Sequence, residues 1–165
     1  MTALPFTARV ITASNRAAAG VYADRAGPIL AEGLRELGFE VSGPVIVPDG
    51  DPVREALRQA VDDGCAVVLT TGGTGLTPTD LTPEATRSVI DREVSGIAEA
   101  VRAQGVSAGI AAASLSRGLA GLAGTTLIVN LPGSPGGCRD GLAVLRPILV
   151  HAVEQIRGGD HPQSS

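Results

Sequence analysis

Apolar and polar positions alternate along this chain in blocks whose period switches between two and about 3.6. Phe6 to Ala13, with Val10 and Ile11 inside it, has the length and bounding of a first strand. After Pro28, Leu30, Leu34 and Leu37 recur at i, i+4 and i+7, one apolar helix stripe that Gly38 terminates. Val41, Val45 and Val47 fall on a period of two across 40–47. Pro44 lacks the N–H that a central ladder needs, so this strand is expected to be irregular or at an edge. Asp51-Pro52 supplies a capping carboxylate and a proline at the first helical position, and Val53, Leu57, Ala60 and Val61 form the buried face up to Gly64. Cys65 to Thr70 is a third strand, apolar almost throughout.

The second half reads less evenly. Thr82-Pro83 repeats the cap-then-proline start, with Glu84 suited to the positive helix terminus, and predicts a helix to about Asp91. Another helix is expected from Ser95-Gly96, with Ile97 and Val101 inward, ending before Gly105. Residues 107–124 are rich in Ala, Gly and Ser; a short helix and then a strand near 114–119, turning at Gly124, is the expectation. Thr125 to Asn130 is the last strand. A final helix carries Leu142, Leu145, Leu149, Val153 and Ile156 inward, kinked at Pro147. One domain over 6–157 is expected, with tails at 1–5 and 158–165.

Strands alternating with helices imply an α/β fold with a largely parallel sheet, whose ligands bind beyond the carboxyl ends of the strands. Four of those ends carry small or polar residues: Ser14-Asn15-Arg16, Asp49, Thr70 to Gly75, and Asn130 to Gly137. The opposite ends are plain turns at Gly38 and Gly64. The sharpest exit is Thr70-Thr71-Gly72-Gly73-Thr74-Gly75. Glycines let backbone N–H groups converge on an anion and threonines add rotatable donors, so the segment suits a phosphate cradle; an ordinary tight loop before a helix has the same composition.

Composition narrows the function classes. Aromatic residues are 2% of the 165, there is no Trp, and the net charge is −4, which together disfavour base stacking and phosphate-backbone binding, so no nucleic-acid partner is expected. Every Lys/Arg cation is Arg, which excludes a lysine Schiff base and a Walker-type lysine. Cys65 and Cys138 are isolated and read as buried or incidental thiols. No 18-residue apolar run and no basic-then-apolar leader occur, so a cytoplasmic protein with no membrane partner is the expectation.

Asp49 and Asp80 offer hard oxygen ligands for Mg²⁺, or the side chain of an Asx turn. Arg16 and Arg117 could pair phosphates or remain solvated, and Ser116 and Ser134 could donate to phosphate or shape turns. Pro132-Gly133-Ser134-Pro135 reads either as a rigid lip for a flat ligand or as a packing loop ahead of a helix. His151 and His161 read as a helix residue and a tail residue.

Taken together, Thr70 to Gly75, Thr77-Pro78-x-Asp80-x-Thr82-Pro83-Glu84-Ala85-Thr86, Leu115-Ser116-Arg117 and Asn130 to Pro135 resemble the molybdopterin-binding family of molybdenum cofactor biosynthesis, most of all its stand-alone Mog type. Ser14-x-Arg16, Gly20-Val21-Tyr22-x-Asp24 and Pro48-Asp49 fit the same pattern. The resemblance implies a three-layer α/β/α fold around a mixed, mostly parallel sheet, and a homotrimer. It implies adenylylation of molybdopterin by Mg-ATP with release of pyrophosphate, and a molybdenum insertase as a possible partner. Carried over by position, Asp49 and Asp80 become the catalytic and Mg²⁺-binding acids. Ser14, Asn15 and Arg16 fall on the nucleotide side. Thr71, Gly72, Gly73, Thr74, Gly75, Ser116, Arg117, Pro132, Gly133, Ser134 and Pro135 fall around the pterin and its phosphate. Two positions depart: Asn15 stands where the family often has Asp, and Thr79 where it often has Arg. They motivate an alternative, a molybdopterin-binding carrier or scaffold without chemistry. A general nucleotide-binding α/β protein is the third reading.

Overall fold

The computed structural model describes residues 6–159, so the expected tail at 1–5 and most of that at 158–165, His161 included, lie outside the described residues. Among the described residues six strands form one sheet in the order β2-β1-β3-β6-β5-β4. The strands are β1 (Thr7–Ala13), β2 (Glu40–Val47), β3 (Val67–Thr71), β4 (Arg92–Glu93), β5 (Ala120–Ala123) and β6 (Thr126–Leu131). The first four in sheet order, β2, β1, β3 and β6, run parallel; β5 and β4 are antiparallel additions. The helices are α1 (Asn15–Ala18), α2 (Ala26–Glu36), α3 (Asp51–Asp62), α4 (Thr82–Arg87), α5 (Ser95–Ser107), α6 (Pro135–Leu145) and α7 (Leu149–Ile156).

The strand pleat divides the core in two. Val10, Val67, Leu69, Leu127, Val129 and Leu131 point to one face, where Leu30 and Leu34 of α2, Val101 of α5, Leu142 of α6 and Val153 of α7 cover them. Ile11, Val68 and Ile128 point to the other, where Val53 and Leu57 of α3 and Ala85 of α4 lie. The result is the expected three-layer α/β/α fold around a mixed sheet. β2 is an edge strand, and its register against β1 shifts between Arg9 and Ile11, as the proline in it demands.

Several local expectations change. The β1 exit, for which the sequence predicts no helix, turns helical at once: Ser14 Oγ accepts from the Ala17 N–H at 3.1 Å and caps the single turn α1. α4 stops at Arg87, before the expected Asp91. The short edge strand β4, unanticipated, follows it. α5 runs through Gly105 to Ser107; a Cβ on Gly105 would come within 2.5 Å of the Ala113 Cβ, so this glycine serves close packing and not termination. Residues 114–119 are not a strand. A 3₁₀ turn covers Ala111–Leu115, and the strand comes later, at 120–123. The intervening backbone is bonded elsewhere: Arg117 N–H donates to the Thr74 carbonyl at 2.8 Å, and the Gly118 carbonyl accepts from Arg102 at 2.8 Å. The proline at 147 separates α6 and α7 outright instead of kinking one helix.

Candidate functional site

The parallel half of the sheet delivers its exits to one edge: Ser14 after β1, Asp49 after β2, Gly72 after β3 and Pro132 after β6. Because β5 runs antiparallel to β6, the segment entering β5, Ser116 to Leu119, arrives at that same edge. Two clefts open there. The first, about 610 Å³, is lined by Ser14, Asn15, Arg16, Tyr22, Asp24, Asp49, Gly72, Gly73, Asp80, Gly133 and neighbours. The second, about 690 Å³, is lined by Thr74, Gly75, Leu76, Val101, Ile110, Leu115, Ser116, Pro132, Ser134 and neighbours.

The Gly-Thr loop and the Pro-Gly-Ser-Pro loop together form the ridge between the clefts. Thr71, Gly72 and Gly73 face the first, Thr74 and Gly75 the second; Gly133 and Pro135 face the first, Pro132 and Ser134 the second. Thr71 Oγ1 donates to the Pro132 carbonyl at 2.7 Å and staples the two loops, with the Cys138 thiol 3.3 Å from both acceptor and hydroxyl. Burial pushes that thiol up to about 11, so Cys138 is a neutral packing group beneath the ridge. Both cysteines are free and buried, as expected.

Glycine is required where the ridge is thinnest. Gly73 has φ +68°, and a Cβ there would overlap the Asp49 carboxylate and the Thr82 hydroxyl. Gly72, with φ +92°, would overlap the Ala13 carbonyl.

The acids are held differently. Asp49 Oδ1 accepts from the Gly50 N–H at 2.7 Å and the Thr82 hydroxyl at 2.9 Å, and Oδ2 accepts from the Leu81 N–H at 3.0 Å. Its own N–H donates to Asn15 Oδ1 at 3.0 Å, which ties the β1 and β2 exits together. Asp80 Oδ2 accepts from Thr77 N–H and Oγ1 at 3.1 and 2.8 Å, bonds that reach back three residues and so differ from an Asx turn, whose side chain accepts from the N–H two residues on; among the described residues Oδ1 carries no hydrogen bond. Asp80 therefore lines the first cleft with one carboxylate oxygen still uncommitted. Asp49 combines lining the cleft with fixing the start of α4.

Ser14 caps α1 while its Oγ lies 2.9 Å from the Tyr22 hydroxyl. Ser134 accepts from the Gly137 N–H at 3.0 Å and caps α6, whose N-terminus lies against the second cleft. Ser116 lines the second cleft, and its Oγ accepts from the Gly118 N–H at 3.3 Å. Arg117 lines neither cleft. Its Nε donates to the Gly75 carbonyl at 2.9 Å, Nη2 to the Asp80 carbonyl at 2.6 Å and Nη1 to Glu84. That last bond holds the Glu84 carboxyl below its ordinary range and raises Arg117 above its own. The expectation of a phosphate-pairing Arg117 meets a guanidinium already turned to the protein.

Several lining residues receive no role from the sequence, although Tyr22, Asp24 and Leu115 fall within the motifs that carry the resemblance. Asp24 accepts from Thr12 Oγ1 at 2.8 Å and from the Gly27 N–H at 3.0 Å. Tyr22 is the one aromatic side chain of the first cleft. Their Gly-x-Tyr-x-Asp spacing was the available signal. Leu76, Ile110 and Leu115 of the second cleft are 64%, 56% and 54% exposed and sit in segments with no helix or strand period to flag them.

The chain matches a family model described as "Probable molybdopterin binding domain" over residues 9–151. A molybdopterin adenylyltransferase of Helicobacter pylori is 35% identical over 153 residues, covering 90% of this chain and 86% of the relative. A molybdenum cofactor biosynthesis bifunctional protein of Synechococcus elongatus is 37% identical over 155 residues; 93% of this chain is covered, but the chain spans only about half, 48%, of that relative. Among solved structures, the molybdopterin biosynthesis Mog protein of Mycobacterium ulcerans superposes with a TM-score of 0.87 at 51% identity, covering 92% of this chain and 99% of that one.

Proposed function

The chain belongs to the molybdopterin-binding domain family of molybdenum cofactor biosynthesis, and from that premise we propose that it is a molybdopterin adenylyltransferase. The observation that carries this reading is the pair of clefts meeting at one glycine ridge, with both acids on the polar side. In it the second cleft takes the flat pterin against Leu76, Ile110, Leu115 and Pro132, while the first takes the nucleotide along Ser14, Asn15 and Arg16. The pterin's terminal phosphate then lies over the ridge, where Gly73 and Gly75 let backbone N–H groups approach it; the Gly72 N–H is already donated to the Leu131 carbonyl. One of its oxygens attacks the α-phosphorus of ATP, the P–O bond to the β-phosphate breaks, and pyrophosphate leaves. Such a transfer needs alignment and charge neutralisation more than a reactive side chain.

The donor set fits Mg²⁺ bound chiefly through substrate. Mg²⁺ favours one or two carboxylates completed by phosphates and waters. Among the described residues no cluster of three or more His, Cys, Asp or Glu side chains forms a protein-only cage. Asp80 would hold the ion through Oδ1, with Asp49 beside it. When bound, the ion would neutralise charge on the transferring and leaving phosphates. Asp49 meanwhile keeps Leu81 and Thr82 in place, so it orients the segment that carries Asp80.

Purified protein incubated with molybdopterin, ATP and Mg²⁺ should yield adenylylated molybdopterin and pyrophosphate. Asp80→Ala should lower transfer by about 100-fold or more, with nucleotide-free pterin binding within about twofold of wild type. An active Asp49→Ala, Asp80→Ala double variant would sink the assigned roles. The carrier reading is favoured by one observation, that both Asp49 oxygens are already occupied by protein donors; pterin binding without ATP turnover would select it. A homotrimer, a cytoplasmic setting and an insertase partner complete the proposal. A monomer in sedimentation at micromolar concentration would remove the trimer. No helix among the described residues is long and apolar enough to cross a membrane.

A further inference from the structure

We propose that Arg117 is a positioning residue that braces the Asp80 loop against the wall of the apolar cleft, and so sets the acid's geometry without touching either substrate. The inference rests on the adenylyl-transfer reading and extends it to a residue that lines neither cleft.

The loop from Gly75 to Asp80 has little of its own to hold it. Leu76, Thr77, Pro78 and Thr79 are exposed, and its internal bonds are those within the Thr77–Asp80 turn. Arg117 grips both ends of it. Its backbone N–H bonds the Thr74 carbonyl at 2.8 Å and its Nε the Gly75 carbonyl at 2.9 Å; Nη2 bonds the Asp80 carbonyl at 2.6 Å. Nη1 pairs with Glu84 in the first turn of α4, so one planar fork spans the loop and the helix that follows.

The anchor of that fork is itself fixed. Arg102 Nη1 donates to the Ser116 carbonyl at 3.3 Å and the Gly118 carbonyl at 2.8 Å, on either side of Arg117. Arg102 and Ser116 both line the apolar cleft. Asp49 holds the far side of the loop through Leu81 and Thr82, but it belongs to the polar cleft. Arg117 is thus the link from the apolar wall to the carboxylate of the polar cleft. A guanidinium is suited to this because its donors are rigidly splayed; a lysine keeps the charge but cannot reach two carbonyls and a carboxylate at once. Its charge also sits amid Asp49, Asp80 and Glu84, whose mutual repulsion it offsets.

The test compares wild type with Arg117→Lys, Arg117→Gln and Glu84→Gln. Mn²⁺ binding in the presence of α,β-methylene ATP, followed by electron paramagnetic resonance, reads the geometry at Asp80 without turnover. Arg117→Lys should weaken Mn²⁺ binding and lower kcat by about tenfold or more each. KM for molybdopterin should move by less than about threefold. Glu84→Gln, which keeps an acceptor oxygen but removes the charge from one of the fork's contacts, should shift both in the same direction but less. If Arg117→Gln does not fold, Arg117→Lys carries the comparison. Wild-type Mn²⁺ affinity and kcat in Arg117→Lys would overturn the brace. So would a loss confined to KM for molybdopterin, which would make Arg117 a direct phosphate contact. A wild-type protein that binds Mn²⁺ and nucleotide but transfers nothing would defeat the adenylyl-transfer reading, while the Mn²⁺ comparison would still judge the brace. Absence of any Mn²⁺–nucleotide binding in wild type would overturn both.

Discussion

The two clefts share a ridge but are built by opposite means. The polar cleft stands where four parallel strands end, and its walls are short exits in which nearly every polar group has a protein partner: Ser14 with Tyr22, Asp24 with Thr12, Asp49 with Leu81 and Thr82. The apolar cleft stands on the antiparallel side, walled by α5, the 3₁₀ turn and the start of α6, and its rim exposes Leu76, Ile110 and Leu115. A charged, multi-oxygen ligand requires donors fixed in advance, since reorganising them costs free energy at the moment of binding. A flat ligand requires shape and apolar area, which mobile aliphatic side chains supply. In the proposed reading the difference in construction is a division of labour, and the ridge is where it can be broken.

The largest effect is expected from Gly73→Val. A β-branched residue at φ +68° is strained, and its Cβ would displace the Asp49 carboxylate. The cost should be about 3 kcal/mol or more of stability. Nucleotide binding should be lost while pterin binding survives in the folded fraction; equal loss of both would show that the clefts do not act separately. Asn130→Ala comes next. Asn130 Nδ2 donates to Thr70 Oγ1 at 3.0 Å and Thr86 Oγ1 at 2.9 Å, and Oδ1 accepts from Leu119 N–H at 3.2 Å, all buried beneath both clefts. Stripping those partners should cost about 2–3 kcal/mol, read as a lowered denaturation midpoint, with both ligands weakened alike.

That asymmetry also governed what could be read in the chain. The polar half was legible because parallel strands buried on both faces are continuous apolar runs, and their exits announce themselves with Gly, Pro, Asp and Ser: Val67 to Thr71 into Gly72, Thr126 to Leu131 into Pro132. The apolar half hid its elements. β5 is Ala-Gly-Leu-Ala, a poor strand by propensity, yet a Cβ on Gly121 would come within 2.6 Å of the Arg92 carbonyl, so closeness to β4 selects against better strand formers. β4 has two residues and no period at all. Arg117 was visible as a cation but not as a brace, because its partners are backbone carbonyls of Gly75 and Asp80, to which no residue type points.

Ile110→Glu probes the apolar side alone. The residue is more than half exposed on the cleft rim, so stability should stay within about 0.5 kcal/mol of wild type. A carboxylate that the bound ring must desolvate should weaken molybdopterin binding by about tenfold, or about 1.4 kcal/mol. Titration with an ATP analogue should be unchanged; a parallel loss there would join the two clefts into one site.

The smallest effect lies under the ridge, at Cys138. Its thiol is buried with a folded-state value of about 11, against 9.0 for the free group, burial being the main cause. An acid whose value is raised by folding keeps its proton longer in the native state than in the unfolded one. Its contribution to stability is therefore complete below pH 9 and is lost as pH rises from there through about 11. By pH 10 the loss should be about 1 kcal/mol. The chain has no Lys, so no ammonium side chain competes in the alkaline range. Denaturant midpoints across that range should fall more steeply for Cys65→Ala, which keeps the thiol under the ridge, than for Cys65→Ala, Cys138→Ala, which has none. Since the thiol sits beside both Thr71 and the Pro132 carbonyl, its ionisation should loosen the staple between the loops and weaken both ligands together. A pH response confined to nucleotide binding would instead assign it to groups within the polar cleft, and would leave the ridge a passive wall.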